Sequence, residues 1–219
     1  MTLGHAARTE NTPPGRDSNR TVRQASAVDI CDIVEVHQKA FRHFFLTQMG
    51  SGFLQRYYEL VLRYEAGIML VGVHQSRVQG FACGFVNPAE FYRLMYRNLF
   101  RFLPPGISAL FRNPSLLTGV LRGAKRIHHA ASRETEQECE LSSIAVSPTA
   151  ARGGLGMKLA RAFVSQAWAM NAGSVCLSTD AHGNEAANSL YERAGFQRTR
   201  QFLQHHGRWM NEYRITRMN

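Results

Sequence analysis

Residues 151–160 read ARGGLGMKLA. Gly153, Gly154 and Gly156 fall within four positions, and a helix-forming run follows at once. A glycine has no Cβ to hold a partner away from the main chain. The N–H groups of a helix's first turn lack intrahelical acceptors and lie at the positive end of the helix dipole. A glycine cluster that opens a helix is therefore suited to grip an anion, above all a pyrophosphate. Two better-known glycine loops fit poorly. A Walker loop, GxxxxGK[ST], fails because Lys158 is followed by Leu159. A dinucleotide fingerprint, GxGxxG, would use Gly154 and Gly156 but meets Leu159 at its third glycine. The plain alternative is a tight strand–helix turn without a ligand, although three glycines exceed what such a turn needs.

Outward from this loop, CELSSIAV (Cys139–Val146) reads as a strand closed by Pro148, and Leu155–Met170 as a helix ended by Asn171-Ala172-Gly173. SVCLST (Ser174–Thr179) reads as a buried strand and Asn184–Arg193 as a short helix. Phe196–His205 and Trp209–Thr216 make a hairpin around His206-Gly207-Arg208. Upstream, Thr21–Ser26 starts a strand. Ala27–Phe45 has helical spacing of apolar residues, and Phe53–Ala66 is a second amphipathic helix with Ser51 as its expected cap. Ile68–Gln75 and Val78–Val86 form another hairpin, stopped at Asn87-Pro88. The sum is a mixed α/β sheet in one domain, residues 21–219, behind a leader, residues 1–20, read as disordered, with a transit peptide as the weaker alternative.

Residues 89–133 form a basic helical insertion. Arg93, Arg97 and Arg101 recur every fourth residue and so share a helix face, and Glu90 is its sole acid. It reads as a solvated face, as a cationic lid over an anionic ligand, or as a membrane-surface helix, since Phe91, Leu94, Leu99, Phe100 and Phe102 are bulky and apolar. The whole chain of 219 residues carries a formal net charge of +10, which favours anionic partners. No apolar run approaches the ~20 residues of a membrane span. Cys31, Cys83, Cys139 and Cys176 are too dispersed to suggest a zinc site or a disulfide framework, so no metal is expected and a reducing cytoplasm is the simplest home.

V-x-P-x-x-A-R-G-G-L-G (Val146–Gly156) and N-x-x-A-x-x-L-Y-E-R-A-G-F (Asn184–Phe196) occur in that order with a strand between them. Together they resemble the GCN5-related N-acetyltransferase (GNAT) family. The first is similar to its acetyl-CoA pyrophosphate loop, [QR]-x-x-G-x-[GA], and the second to its N-x-x-A-x-x-L-Y-x-x-x-G-F helix. The resemblance covers about residues 22–217. It implies an α/β GNAT fold: a mixed, mostly antiparallel central sheet flanked by helices, with a V-shaped splay between strands 4 and 5, here between Leu141–Val146 and Ser174–Thr179. The helical insertion falls between strands 3 and 4, and Ser142-Ser143 would mark a bulge. It implies acetyl-CoA as donor, held by main-chain groups of Ile144, Ala145 and Val146, by the loop Arg152, Gly153, Gly154, Leu155, Gly156 and Met157, and by Asn184, Asn188 and Tyr191. One departure stands out. Ala151 occupies the place usually held by Gln or Arg, with Arg152 displaced by one, so weaker but not abolished cofactor binding is expected.

Transfer to an amine needs a base, because an alkylamine of pKa ~10 is mostly protonated at neutral pH. The resemblance points to Glu140 as general base, with Glu138, Asp180 and His182 as further candidates, and to Tyr191 as the general acid for the leaving thiolate. The N–H groups of Ser143–Val146 would polarise the carbonyl. Asn184 also suits a helix N-cap. The acceptor side is expected from Phe41, Phe45, Glu138, Arg93 and Arg97, although the run Phe41–Tyr58 is equally readable as core. The basic insertion favours a small amine acceptor with negative charge, such as an amino-sugar nucleotide of cell-surface polysaccharide synthesis, whose diphosphate arginines would clamp. Protein N-termini, polyamines and aminoglycosides stay open. A non-catalytic module of this fold that binds nucleic acid or membrane is the reading from another class. Nucleic acid is not expected, since the arginines lie on no recognisable reading helix. Monomer and homodimer are both open.

Overall fold

The computed structural model describes residues 20–42, 44–98, 102, 137–151, 153–204 and 207–218. The leader through Asn19, Arg152, and the insertion beyond residue 98 apart from Phe102, Arg101 included, lie outside the described residues. The chain runs β1 (Thr21–Gln24), α1 (Ile30–Ala40), α2 (Phe45–Gln48), α3 (Ser51–Arg63), β2 (Gly67–His74), β3 (Arg77–Val86) and α4 (Pro88–Arg97). It continues through β4 (Glu138–Val146), α5 (Leu155–Ala169), β5 (Ser174–Asp180), α6 (Glu185–Arg193), β6 (Gln197–Gln204) and β7 (Arg208–Thr216). The periodic stretch from Ala27 is divided: a 3-10 turn over Ala27–Asp29 leads into α1, and the chain leaves the helix at Phe41. Gly50 takes the N-cap of α3 with φ +92°, a value costly for the expected capping residue, Ser51, which becomes the first helical residue.

Seven strands form one sheet in the order β1-β2-β3-β4-β5-β7-β6. All neighbours are antiparallel except β4 and β5. That parallel pair covers three positions: Glu138 with Ser174, Cys139 with Val175 and Glu140 with Cys176. Beyond them β4 stays with β3 as far as Val146, while β5 stays with β7 as far as Asp180. The sheet is thus split along its length, as the sequence led us to expect.

The two faces of the sheet have separate cores. On one, α1 and α3 cover Val71, Phe81, Cys83 and Phe85; on the other, α5 packs Leu155, Leu159 and Phe163 onto Leu70, Ala82, Cys139 and Leu141. Strand alternation therefore sends Cys139 and Leu141 toward α5, and Glu138 and Glu140 toward the α1–α3 face. The register slips where Cys83 faces Ser143 but the next residue, Gly84, faces Leu141, so Ser142 is the extra residue of a bulge. The bulge turns both serines to α3: the Tyr57 hydroxyl lies 2.7 Å from Ser142 Oγ, and the Tyr58 hydroxyl hydrogen-bonds Ser143. Gly84 is required at this point, since a Cβ there would run into the Glu140 carbonyl and come within 2.6 Å of the Phe163 ring. Gly84→Ala is expected to cost about 1–3 kcal/mol of stability through overpacking, readable as a lowered midpoint in urea denaturation.

Beneath the bulge, His37 and Tyr58 are almost fully buried, and His37 Nδ1 lies 2.5 Å from the Tyr58 hydroxyl. Burial lowers the imidazole pKa from 6.5 to about 4. Between those values the unfolded chain holds a proton that the folded chain does not, so acidification favours unfolding. Stability should fall by up to about 3 kcal/mol as pH drops from 6.5 to 4. His37→Gln should flatten that part of a pH series of urea melts; an unchanged slope would contradict this assignment.

Candidate active site

The split sheet exposes one edge of β4. The Ser147 N–H donates to the Gln79 carbonyl at 2.7 Å, which turns Ser147 toward β3. The register from Val146 to Ile144 is regular, so alternation turns Ala145 to β3 as well and aims the main-chain N–H groups of Ile144 and Val146 away from it. They face the gap where β5 has departed. Of the main-chain donors expected over Ser143–Val146, two are available there, and the Ala145 N–H is committed to the sheet.

Glu140 occupies the last paired position below the gap, and its Oε1 accepts a hydrogen bond from the Tyr92 hydroxyl of α4 at 2.8 Å. The first helix of the insertion thus delivers a phenol to this carboxylate. Glu138, two residues earlier, is ion-paired with Arg214, whose other nitrogen donates to Ser174 Oγ at 2.7 Å. Asp180 is held by Arg208 through both carboxylate oxygens, at 2.6 and 2.8 Å. His182 is exposed. Arg208 also stacks over Phe44 at 4.7 Å, tying the α1–α2 connection to the start of β7. Phe41 is partly buried against the α1–α3 core and its ring lies 4.8 Å from that of His37. Phe45 begins α2. Arg93 and Arg97 are exposed on α4.

The glycine loop stands where β4 ends and α5 begins. Gly154 has φ +73° and caps α5, and a Cβ on it would meet open space. The other two glycines leave room for protein neighbours. A Cβ on Gly156 would come within 2.8 Å of Leu190 in α6, and one on Gly153 would overlap the guanidinium of Arg20. Bare backbone is here partly a packing requirement, which the sequence pattern did not reveal.

In α6, Tyr191 is 6% exposed and packs against Phe196 and Tyr213. Among the described residues nothing hydrogen-bonds its hydroxyl, and burial pushes its pKa well above the ordinary 10. Asn184 is the N-cap residue, but its side-chain amide donates to Thr179 Oγ1 at 2.6 Å instead of capping. Asn188 donates to the carbonyls of Asp180 and Asn184, both at 2.9 Å, while its Oδ1 accepts from Asn211 and from the Tyr213 hydroxyl. Both amide hydrogens and both lone pairs are consumed. Its side chain braces α6 against β5 and β7.

The Acetyltransferase (GNAT) family model matches residues 32–196. The chain belongs to the GNAT family. Its fold is shared with yncA of Salmonella typhimurium, solved with its cofactor acetyl-CoA, at a TM-score of 0.61, 18% identity, and 91% and 94% coverage of the two chains. An N-acetyltransferase from Staphylococcus aureus Mu50 gives a TM-score of 0.59 at 16% identity, with 91% and 99% covered. The ribosomal-protein-S18-alanine N-acetyltransferase of Escherichia coli gives 0.56 at 15% identity, with 90% and 93% covered. No curated protein sequence matches the chain.

As a GNAT enzyme the protein is an acyltransferase that takes its acetyl group from acetyl-CoA. The residues present fit that donor: a glycine-opened helix N-terminus adjoins a strand edge whose amides have lost their neighbouring strand. No helix among the described residues is long and apolar enough to cross a membrane. Because Asn188 serves packing, Asn188→Ala should destabilise the fold by about 2–3 kcal/mol by leaving buried partners unmet. In calorimetry at a temperature where the variant is folded, its affinity for coenzyme A should stay within about twofold of the wild type.

Proposed function

We propose that this enzyme acetylates a primary amine on a negatively charged small acceptor, with Glu140 as general base and Tyr191 as general acid. The observation that carries the reading is the position of Glu140. It sits at the fork of the sheet, just before the bulge that aims the Ile144 and Val146 amides into the gap, with a phenol hydroxyl donating to its carboxylate. Glu138 and Asp180 are each ion-paired with an arginine, which disfavours their protonated form.

Acetyl-CoA supplies the acyl group as a thioester. Glu140 takes the proton of the incoming ammonium, directly or through one water, and so exposes the nitrogen lone pair. The Ile144 and Val146 N–H groups, fixed by pairing on the other side of β4, donate to the carbonyl oxygen as negative charge gathers there. As the tetrahedral adduct collapses and the C–S bond breaks, Tyr191, kept protonated across the working range by its burial, donates to the departing sulfur and recovers a proton from the second N–H of the newly bonded nitrogen. The α5 N-terminus and the amides of residues 152–157 hold the diphosphate. Arg93 and Arg97, both exposed, share the helix that brings Tyr92 to Glu140. An amino-sugar nucleotide meets these requirements, offering an amine and a diphosphate on one molecule.

Glu140→Gln should lower kcat by about 10²-fold or more and leave coenzyme A affinity nearly unchanged; an unaltered rate removes Glu140 from the chemistry. Tyr92→Phe, which removes a donor that orients the Glu140 carboxylate, should lower kcat/KM by about tenfold and leave coenzyme A affinity nearly unchanged. An acetyl-CoA consumption screen over amine classes tests the acceptor. Turnover of amino-sugar nucleotides, with KM raised when Arg93 and Arg97 become Ala, is the expected result; turnover confined to polyamines or aminoglycosides contradicts it.

A further inference from the structure

We infer that Arg200 and Arg208 form a clamp for the phosphate groups of the acceptor, on the same face of the sheet as Glu140. The inference deepens the proposed reaction and rests on its reading of a negatively charged acceptor with Glu140 as base. Alternation places the two arginines. Cys176, the register partner of Glu140, and Asp180 stand four positions apart on β5, so both look to the α1–α3 side. Directly opposite residues share a face, which puts Met210 and Glu212 of β7 and Phe202 and Arg200 of β6 on that side too. Ser178, between Cys176 and Asp180 on this side, is exposed although β5 is an inner strand. The sheet surface is therefore accessible between the Glu140 row and the arginines.

The two arginines are held in the same way. Arg208 donates from Nε to Asp180 at 3.1 Å and from Nη2 at 2.6 and 2.8 Å, and its guanidinium lies 4.7 Å from the centre of the Phe44 ring. Arg200 donates from Nε and Nη2 to Glu212 at 3.0 and 2.7 Å, and lies 4.9 Å from the centre of the Phe202 ring. In each pair the carboxylate is the inner member: the side chains of Asp180 and Glu212 are 23% and 16% exposed, against 39% and 56% for Arg208 and Arg200. Carboxylate and ring fix the plane of each guanidinium, and neither Nη1 makes a hydrogen bond among the described residues. Asp180, Met210 and Phe202 form one row across β5, β7 and β6, roughly 10 Å from end to end at the usual strand spacing. Arg208 reaches this row at Asp180 and Arg200 reaches it at Phe202, so two oriented guanidiniums with N–H donors to offer flank it. Charge-assisted hydrogen bonds from guanidinium to phosphate are strong, and donors already ordered lose little freedom on binding.

Titration calorimetry of inorganic pyrophosphate into the full-length protein, saturated with coenzyme A so that the glycine loop is filled, reads the clamp without turnover. Arg208→Gln and Arg200→Gln should each weaken pyrophosphate binding by roughly tenfold and leave coenzyme A affinity unchanged. Arg198→Gln removes the same charge from β6 on the opposite face, beside Tyr213, and should bind pyrophosphate as the wild type does. Far-UV circular dichroism melts identify a variant that fails to fold, in which case the other arginine carries the comparison. Glutarate in place of pyrophosphate separates carboxylate from phosphate, and equal binding of the two overturns the assignment to phosphate. Failure of the wild type to bind pyrophosphate, unchanged affinity in both variants, or an equal loss in Arg198→Gln overturns the clamp. An amine screen in which only polyamines or aminoglycosides are acetylated overturns the acceptor reading instead, whatever the titration shows.

Discussion

The separation of β4 from β5 after Glu140 is the constraint on which the rest of the molecule depends. A sheet strand that loses a neighbour leaves a row of main-chain donors and acceptors that must find partners elsewhere. Here the row belongs to a central strand, walled by two cores, and not to the outer edge of the sheet. The fork is also strongly enforced. β3 holds one side of β4 along its whole length, β7 holds β5, and α5 and α6 pack across the other face. The gap is therefore a fixed feature that binding does not have to open, and preorganised donors are the ones that lower barriers most effectively.

The bulge at Ser142 sets what the gap presents. Without the extra residue, strict alternation would keep one set of residues facing β3 from Glu138 to Val146. With it, Glu140 and Ala145 both keep their main chain toward β3 although they stand five positions apart, and the Ile144 and Val146 amides fall on the open side. Paired tyrosines on α3 fasten the two serines of the bulge, and one of them leans on buried His37. A polar contact of this kind inside an aromatic core is costly unless satisfied, and here it ties the geometry of β4 to the packing of α1 and α3.

The fold and the outline of the site were legible because they rest on short-range signals. Turn residues at Asn87-Pro88 and His206-Gly207, the glycine cluster before α5, and the Asn184–Phe196 helix each declare themselves within a few positions. Ser142-Ser143 marked the bulge for the same reason. What escaped notice is long-range. Tyr92 meets Glu140 across 48 residues, Arg20 meets Ala150 across 130, and Arg214 pairs with Glu138 across 76. No local pattern encodes such pairings. An asparagine one turn after Asn184 is equally compatible with binding and with bracing, and its bracing partners, the side-chain amide of Asn211 and the phenol of Tyr213, lie far along the chain.

Amide hydrogen exchange resolved by NMR along β4, with and without coenzyme A, tests the central claim most directly. Ala145, bonded into β3, should exchange slowly in both states, while Ile144 and Val146 should exchange readily in the free protein and become protected when the cofactor is bound. Protection of Ile144 and Val146 already in the free protein, or indifference of both to coenzyme A, would contradict the account.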